Sequence, residues 1–84
     1  MFQEFNIENE VLVSYNGESH SIVVPYGVKV ISSGVFKGKS WITDIILPEG
    51  LNEIGDNAFK GCRKLERINF PESLTKIGDF AFHR

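Results

Sequence analysis

The sequence predicts an α/β solenoid, predominantly β, with one short helical turn per coil and an N-terminal β-hairpin as its cap. Three observations carry this. Pro25, Pro48 and Pro71 are each separated from the next by 23 positions. The apolar residues around them keep the same step: Ile22, Ile45 and Ile68; Val24, Leu47 and Phe70; Val28, Leu51 and Leu74; Ile31, Ile54 and Ile77; Phe36, Phe59 and Phe82. Within each unit the apolar spacing changes twice, from strand-like alternation to a turn marked by Gly and Asp. A fixed period in the twenties belongs to arrays whose units bury their apolar side only against their neighbours.

From the N-terminus, Val11-Leu12-Val13-Ser14-Tyr15 reads as a strand, Asn16-Gly17 as a strong hairpin turn, and Ser21-Ile22-Val23-Val24 as the returning strand. This hairpin is expected to pair with the first coil and cover its apolar edge, as terminal units of solenoids require. Residues 1–21 form that cap. Residues 22–84 hold three repeats, 22–44, 45–67 and a truncated 68–84, and the whole is one domain.

In the third repeat, Ile68 and Phe70 alternate as in a strand, with Leu65 anchoring the approach, and Pro71 ends it because proline has no N–H for a ladder. A second short extended stretch follows, with Leu74 and Ile77 inward and Thr75 and Lys76 outward. Then Gly78-Asp79-Phe80-Ala81-Phe82 matches Gly55-Asp56-Asn57-Ala58-Phe59, which runs on to Lys60-Gly61. Asp56 and Asp79 read as N-caps of one helical turn, with Gly61 as its stop. Ala58 and Ala81 are small where the turn approaches the stack, and Phe59 and Phe82 fill the core.

Composition narrows the function classes. Hydrophobic content of 42% with 24% charged residues argues against disorder. A formal charge of −2 gives no electrostatic case for nucleic acid or an anionic membrane surface. No apolar run approaches the roughly 20 residues of a membrane span. Met1-Phe2-Gln3-Glu4-Phe5 shows neither a basic nor an apolar leader region, so a complete chain is expected in the cytoplasm, and one excised from a longer protein at the cell surface or secreted. With Cys62 as the single cysteine, no intramolecular disulfide and no cysteine-rich metal framework can form.

The run Leu65-x-x-Ile68-x-Phe70-Pro71-x-x-Leu74-x-x-Ile77-Gly78-x-x-Ala81-Phe82, with Gly61-Cys62 ahead of it, resembles the bacterial BspA-like (Treponema-type) leucine-rich repeat. The resemblance covers residues 22–84. The first coil departs from it, with Ser32 for the usual Gly, Val35 for the Ala and Lys39 for the Cys, which reads as a degenerate first repeat. The resemblance implies a leucine-rich-repeat solenoid of the interaction-module type, at a surface or inside the cell. It also implies no catalysis through the repeat and, in some similar proteins, adhesion to host matrix proteins.

Little in the chain points to catalysis or a cofactor. His20 and His83 share no column, and no H-E-x-x-H, C-x-x-C or G-x-G-x-x-G occurs. Cys62 reads as a structural thiol inside a bend. Asp56 and Asp79 stack in one column, where a calcium ion is conceivable, but capping accounts for both. Glu49 and Glu72 also stack and read as solvated turn residues. We therefore expect no catalytic residue, no metal and no cofactor.

Candidate partner contacts lie on the outward columns of the strand layer: Thr43 and Glu66; Asp44 and Arg67; Val23, Ile46 and Asn69. The exposed pair Val23 and Ile46 leads them. Trp41 and Tyr26 stand in otherwise polar columns and join the list as exposed aromatics of the kind found at binding hot spots, packing onto an adjacent loop being the plainer alternative. Strands stacked about 4.8 Å apart give a face of only a few hundred Å², against roughly 800 Å² per partner in a stable interface. Leu74, Ile77 and Phe82 have no following coil over them, so either end-to-end or edge-to-edge pairing through coil three into a homo-oligomer or local fraying of residues 78–84 is expected. The expected function is a non-enzymatic protein–protein interaction module with an unidentified protein partner, without nucleic-acid binding or membrane insertion. The alternative is a structural cap or spacer within a larger multidomain or adhesion protein.

Overall fold

The structure, a computed structural model, describes residues 4–83; residues 1–3 of the expected cap and Arg84 of the third repeat lie outside them. Because apolar alternation lasts only a few residues before proline or glycine interrupts it, the strands are short. They are β1 (Phe5–Glu8), β2 (Val11–Tyr15), β3 (Ser21–Val23), β4 (Val30–Ile31), β5 (Asp44–Ile46), β6 (Glu53–Ile54), β7 (Arg67–Ile68) and β8 (Lys76–Ile77). One sheet has the order β1-β2-β4-β6-β8 and the other β3-β5-β7. Each coil thus gives one strand to each of two parallel sheets, and Ile22 faces Ile45 faces Ile68 in one, as Ile31 faces Ile54 faces Ile77 in the other. The prolines recur in the same turn of every coil: Val28, Leu51 and Leu74 donate their amides back to the carbonyls of Pro25, Pro48 and Pro71.

Between the sheets lies one core, including Leu12, Ile22, Ile31, Phe36, Ile45, Leu51, Ile54 and Phe59. A ladder of aromatic rings runs along it. Phe5, Tyr15, Phe36, Phe59 and Phe82 follow one another with centroids 5.0, 5.3, 5.1 and 5.1 Å apart. Offset ring pairs of this spacing contribute beyond simple area burial, about 0.5–1.5 kcal/mol each.

The N-terminal hairpin exists, but not around Asn16-Gly17. It is β1 against β2, antiparallel, turning at Asn9 and Glu10, which both take positive φ (53° and 68°). Two consecutive left-handed residues are the geometry that matches the strand twist in a two-residue hairpin. Residues 16–20 instead carry the chain from one sheet to the other, so β2 and β3 never pair. β2 lies parallel on β4, with Val11 facing Val30 and Leu12 facing Ile31. The Asn-Gly signal failed because five residues separate Tyr15 from Ser21, and because seating Leu12 on Ile31 and Tyr15 on Phe36 closes the end of the core.

The expected helical turn is also absent. Residues 33–38, 56–61 and 79–82 form chains of tight turns. Lys37 and Lys39 donate locally to Gly34 and Phe36, whereas the intervening amides of Gly34, Phe36 and Gly38 donate across to Asp56, Ala58 and Lys60 of the next coil. A helix would keep all of these bonds within its own segment. Gly34, Asn57 and Phe80, one column, all have left-handed φ (69°, 59° and 58°), which interrupts any right-handed run. Asp56 consequently caps nothing: its Oδ1 accepts the amide of Asp79 one coil on, at 2.8 Å. The neighbouring glycines have a steric cause. A Cβ on Gly55 would lie 2.7 Å from the Ser33 nitrogen and 2.8 Å from the Ser32 carbonyl carbon.

Candidate functional site

Alternation along β3, β5 and β7 sends Ile22, Ile45 and Ile68 inward and the residues between them out. On that outward face Val23 and Ile46 sit directly opposite each other, 61% and 56% exposed. They lie in an open groove of about 680 Å³ whose lining also includes Asp44, Glu66, Arg67 and Asn69. The groove is predominantly apolar along its floor and charged at one margin.

That margin is ordered. The Arg67 Nε donates to Asp44 Oδ2 at 2.9 Å. The Thr43 hydroxyl and the Arg67 guanidinium hold the Asp44 carboxyl below the usual carboxylate range, and Asp44 in turn raises Arg67. The Thr43 hydroxyl also reaches the His20 carbonyl, at 3.3 Å. Asn69 is committed to the fold: its Oδ1 accepts the Leu47 amide at 2.7 Å and its Nδ2 donates to the Leu47 carbonyl at 3.0 Å. The side-chain amide thus continues the ladder where β7 has ended.

The remaining sequence candidates lie elsewhere. Tyr26 is 88% exposed, beyond Pro25, and does not line the groove. Trp41 is half-buried, packed against the core with Lys39 Nζ 5.8 Å from its ring centre, and shares a small hollow with Glu18. Cys62 donates its thiol to the Phe36 carbonyl at 3.2 Å, and burial pushes its pKa up, which suits a structural role and not a reactive one. Among the described residues no three His, Cys, Asp or Glu side chains are grouped to hold a metal ion. Among the same residues no helix is long and apolar enough to cross a membrane.

At the last coil, Ile77 and Phe82 are exposed and Leu74 is half-buried against the core. Sequence reasoning missed Phe70, 54% exposed in the column where Val24 and Leu47 are buried, and Phe80, 63% exposed. The column position of Phe70 was signal enough. Phe80 had none, because its column is otherwise Gly34 and Asn57.

Two sheets in which the coils stack parallel, closed by repeating turns and with a core formed between neighbouring layers, define a repeat solenoid. The profile of the BspA type leucine rich repeat region matches residues 5–84, in six copies. The chain belongs to that family, and the match takes in the hairpin as well as the two full 23-residue coils and the shorter third. Among solved structures it is similar to a leucine rich repeat protein of Treponema pallidum, with 28% identity and a TM-score of 0.86, over 94% of this chain and 41% of that one. It is also similar to a leucine rich cell surface protein of Faecalibacterium prausnitzii, with 30% identity and a TM-score of 0.80, over 93% of this chain and 25% of that one. The chain thus spans less than half the length of either. The comparison with curated proteins returned no match. Leucine-rich-repeat domains of this kind are generally protein-interaction or surface modules.

Proposed function

We propose that the chain is a non-enzymatic protein-interaction module that seats a protein partner on the β3-β5-β7 face. The observation that carries this is the exposed Val23–Ile46 pair beside the Asp44–Arg67 ion pair. Burying two such aliphatic side chains contributes a few kcal/mol at roughly 25 cal/mol per Å². Thr43, Asp44, Glu66 and Arg67 form the polar margin that gives orientation, Asn69 holds the margin's backbone, and Trp41 and Tyr26 stand outside the contact. The test is affinity capture with the wild-type chain and with Val23→Lys/Ile46→Lys. A protein retained by the wild type and by Tyr26→Ala, but lost by the double variant at unchanged circular dichroism, supports this face. Retention by all three would place the contact elsewhere.

A second reading has its own observation. Phe70, Ile77 and Phe82 leave an apolar end on coil three, whose outer strand edges have no neighbour among the described residues. Self-association through this end would cover it. Sedimentation equilibrium should show a concentration-dependent oligomer that Phe70→Asp/Ile77→Asp abolishes; a strict wild-type monomer would refute this reading.

A further inference from the structure

Charge is unevenly distributed over the coils. Of the nine Lys and Arg, five are Lys37, Lys39, Lys60, Arg63 and Lys64, in segments 34–43 and 57–65 that contain no carboxylate. The remaining four share the rest of the chain with all 11 Asp and Glu. The fold brings the two basic segments together, since Gly38 donates its amide to the Lys60 carbonyl at 2.7 Å and Phe36 donates to Ala58 at 2.8 Å. Among the described residues none of these five cations is in an ion pair; the two ion pairs present use Arg67 and Lys76.

At the centre of this corner is a hollow of about 490 Å³ lined by Gly38, Ser40, Gly61, Arg63 and Lys64. Gly38 and Gly61 both take left-handed φ (78° and 84°), so the corner passes through two stacked residues without side chains. The amides of Gly38, Ser40, Gly61 and Arg63 already donate to backbone carbonyls, so the bare floor supplies space, and an anion entering it is held by the Arg63 and Lys64 charges and the Ser40 hydroxyl. We propose that this basic corner docks an acidic peptide segment of a partner protein, with one carboxylate in the Gly38–Gly61 hollow and others on Lys37, Lys39 and Lys60. It is a surface separate from the β3-β5-β7 face and stands whether or not that face binds.

The surroundings select a short acidic peptide over other polyanions. In the same coil Asp56 precedes Lys60 by four residues and Glu66 follows Lys64 by two, with Asp79 next in the column. A membrane plane or a nucleic-acid duplex reaching past the corner meets these like charges within about a Debye length, roughly 8 Å at physiological salt. No aromatic ring lines the hollow itself, and the two rings near the corner, Trp41 and Phe80, lie under Lys39 and Lys60 with each Nζ 5.8 Å from the ring centre, so one face of each is already taken by a cation and not by a base. An extended peptide, with same-side carboxylates about 7 Å apart, can end before the acidic border.

The test is fluorescence anisotropy with a labelled oligo-glutamate peptide. The wild-type chain should bind it, with affinity falling as salt rises. Arg63→Ala/Lys64→Ala, both exposed positions, should weaken binding by roughly three- to tenfold at unchanged circular dichroism, and Lys37→Gln by a smaller factor. Lys29→Ala/Lys76→Ala, which removes the same charge elsewhere, should leave it within about twofold. Absence of wild-type binding would overturn the proposal, as would equal loss in the two double variants. So would tighter binding of a DNA duplex, a sulfated polysaccharide or phosphatidylserine vesicles than of the peptide.

Discussion

The two ends of the stack are made from the same columns and end differently. At the N-terminal end Leu12 covers Ile31 and Tyr15 covers Phe36, and all four are buried. At the C-terminal end the equivalent residues of the last coil, Ile77 and Phe82, are 49% and 37% exposed, and Phe70 is 54% exposed where Leu47 is 2%. Burial here is a property of position in the stack, not of residue type. Where the hairpin lies over a repeat's apolar side that side is core, and where no described residue of this chain lies over it, as on coil three, the same side is exposed.

The largest expected effect tests that statement directly. Phe59→Ala removes a ring stacked on both sides and should lower unfolding free energy by about 3–5 kcal/mol. Phe82→Ala, with one side open, should cost only about 1–2 kcal/mol. Urea denaturation of both variants measures the gap, and equal costs would mean the open end is covered in solution.

Glycine makes the next comparison. Gly55→Ala pushes a methyl into the Ser32–Ser33 backbone of a coil held from both directions, and should cost about 1–3 kcal/mol. Gly78→Ala meets Asp56 just as closely, but coil three can move outward, so its cost should be smaller. If Gly78→Ala proves the costlier, the last coil is as firmly held as the interior.

At the capped end a gain is expected. The Tyr15 hydroxyl is buried and has no hydrogen-bond partner among the described residues. Tyr15→Phe keeps the ring over Phe36 and removes the unsatisfied group, so it should raise stability by about 1 kcal/mol. A loss of stability would show that the hydroxyl is satisfied by water.

The columns were legible because apolar burial repeats with the chain, and Ile22, Ile45 and Ile68 needed only their spacing to be matched. The exposed Val23–Ile46 pair followed from the same alternation. What escaped was everything settled by backbone bonds between coils. Asp56 looks like a helix cap by type, yet its carboxylate takes an amide 23 residues away, and Asn16-Gly17 looks like a hairpin although the chain must change sheets there. Phe80 carries a left-handed φ that its residue type does not announce, and Asn57, a type that tolerates that conformation, announces it only weakly. The basic corner was hidden by the net charge of −2, which averages over two segments that only the stacking joins.

The smallest effect concerns a surface tie between the interior and the open coil. Arg67 of β7 pairs with Asp44 of β5, and Asp44 titrates below the usual carboxylate range. Because the folded pKa is depressed, this tie stabilises the fold above the ordinary carboxylate range and is lost as pH falls below about 4. Its contribution is small, since both side chains meet water. The Thr43 hydroxyl has one proton and two acceptors in reach, Asp44 and the His20 carbonyl, whereas Arg67 has several donors. Carboxyl NMR titration should therefore show the Asp44 midpoint rising in both Thr43→Val and Arg67→Ala. High salt should abolish the difference for Arg67→Ala and leave that for Thr43→Val. An Asp44 midpoint unmoved by Arg67→Ala would mean that coil three does not hold its charge against coil two, and that the open end is loose at its surface as well as uncovered in its core.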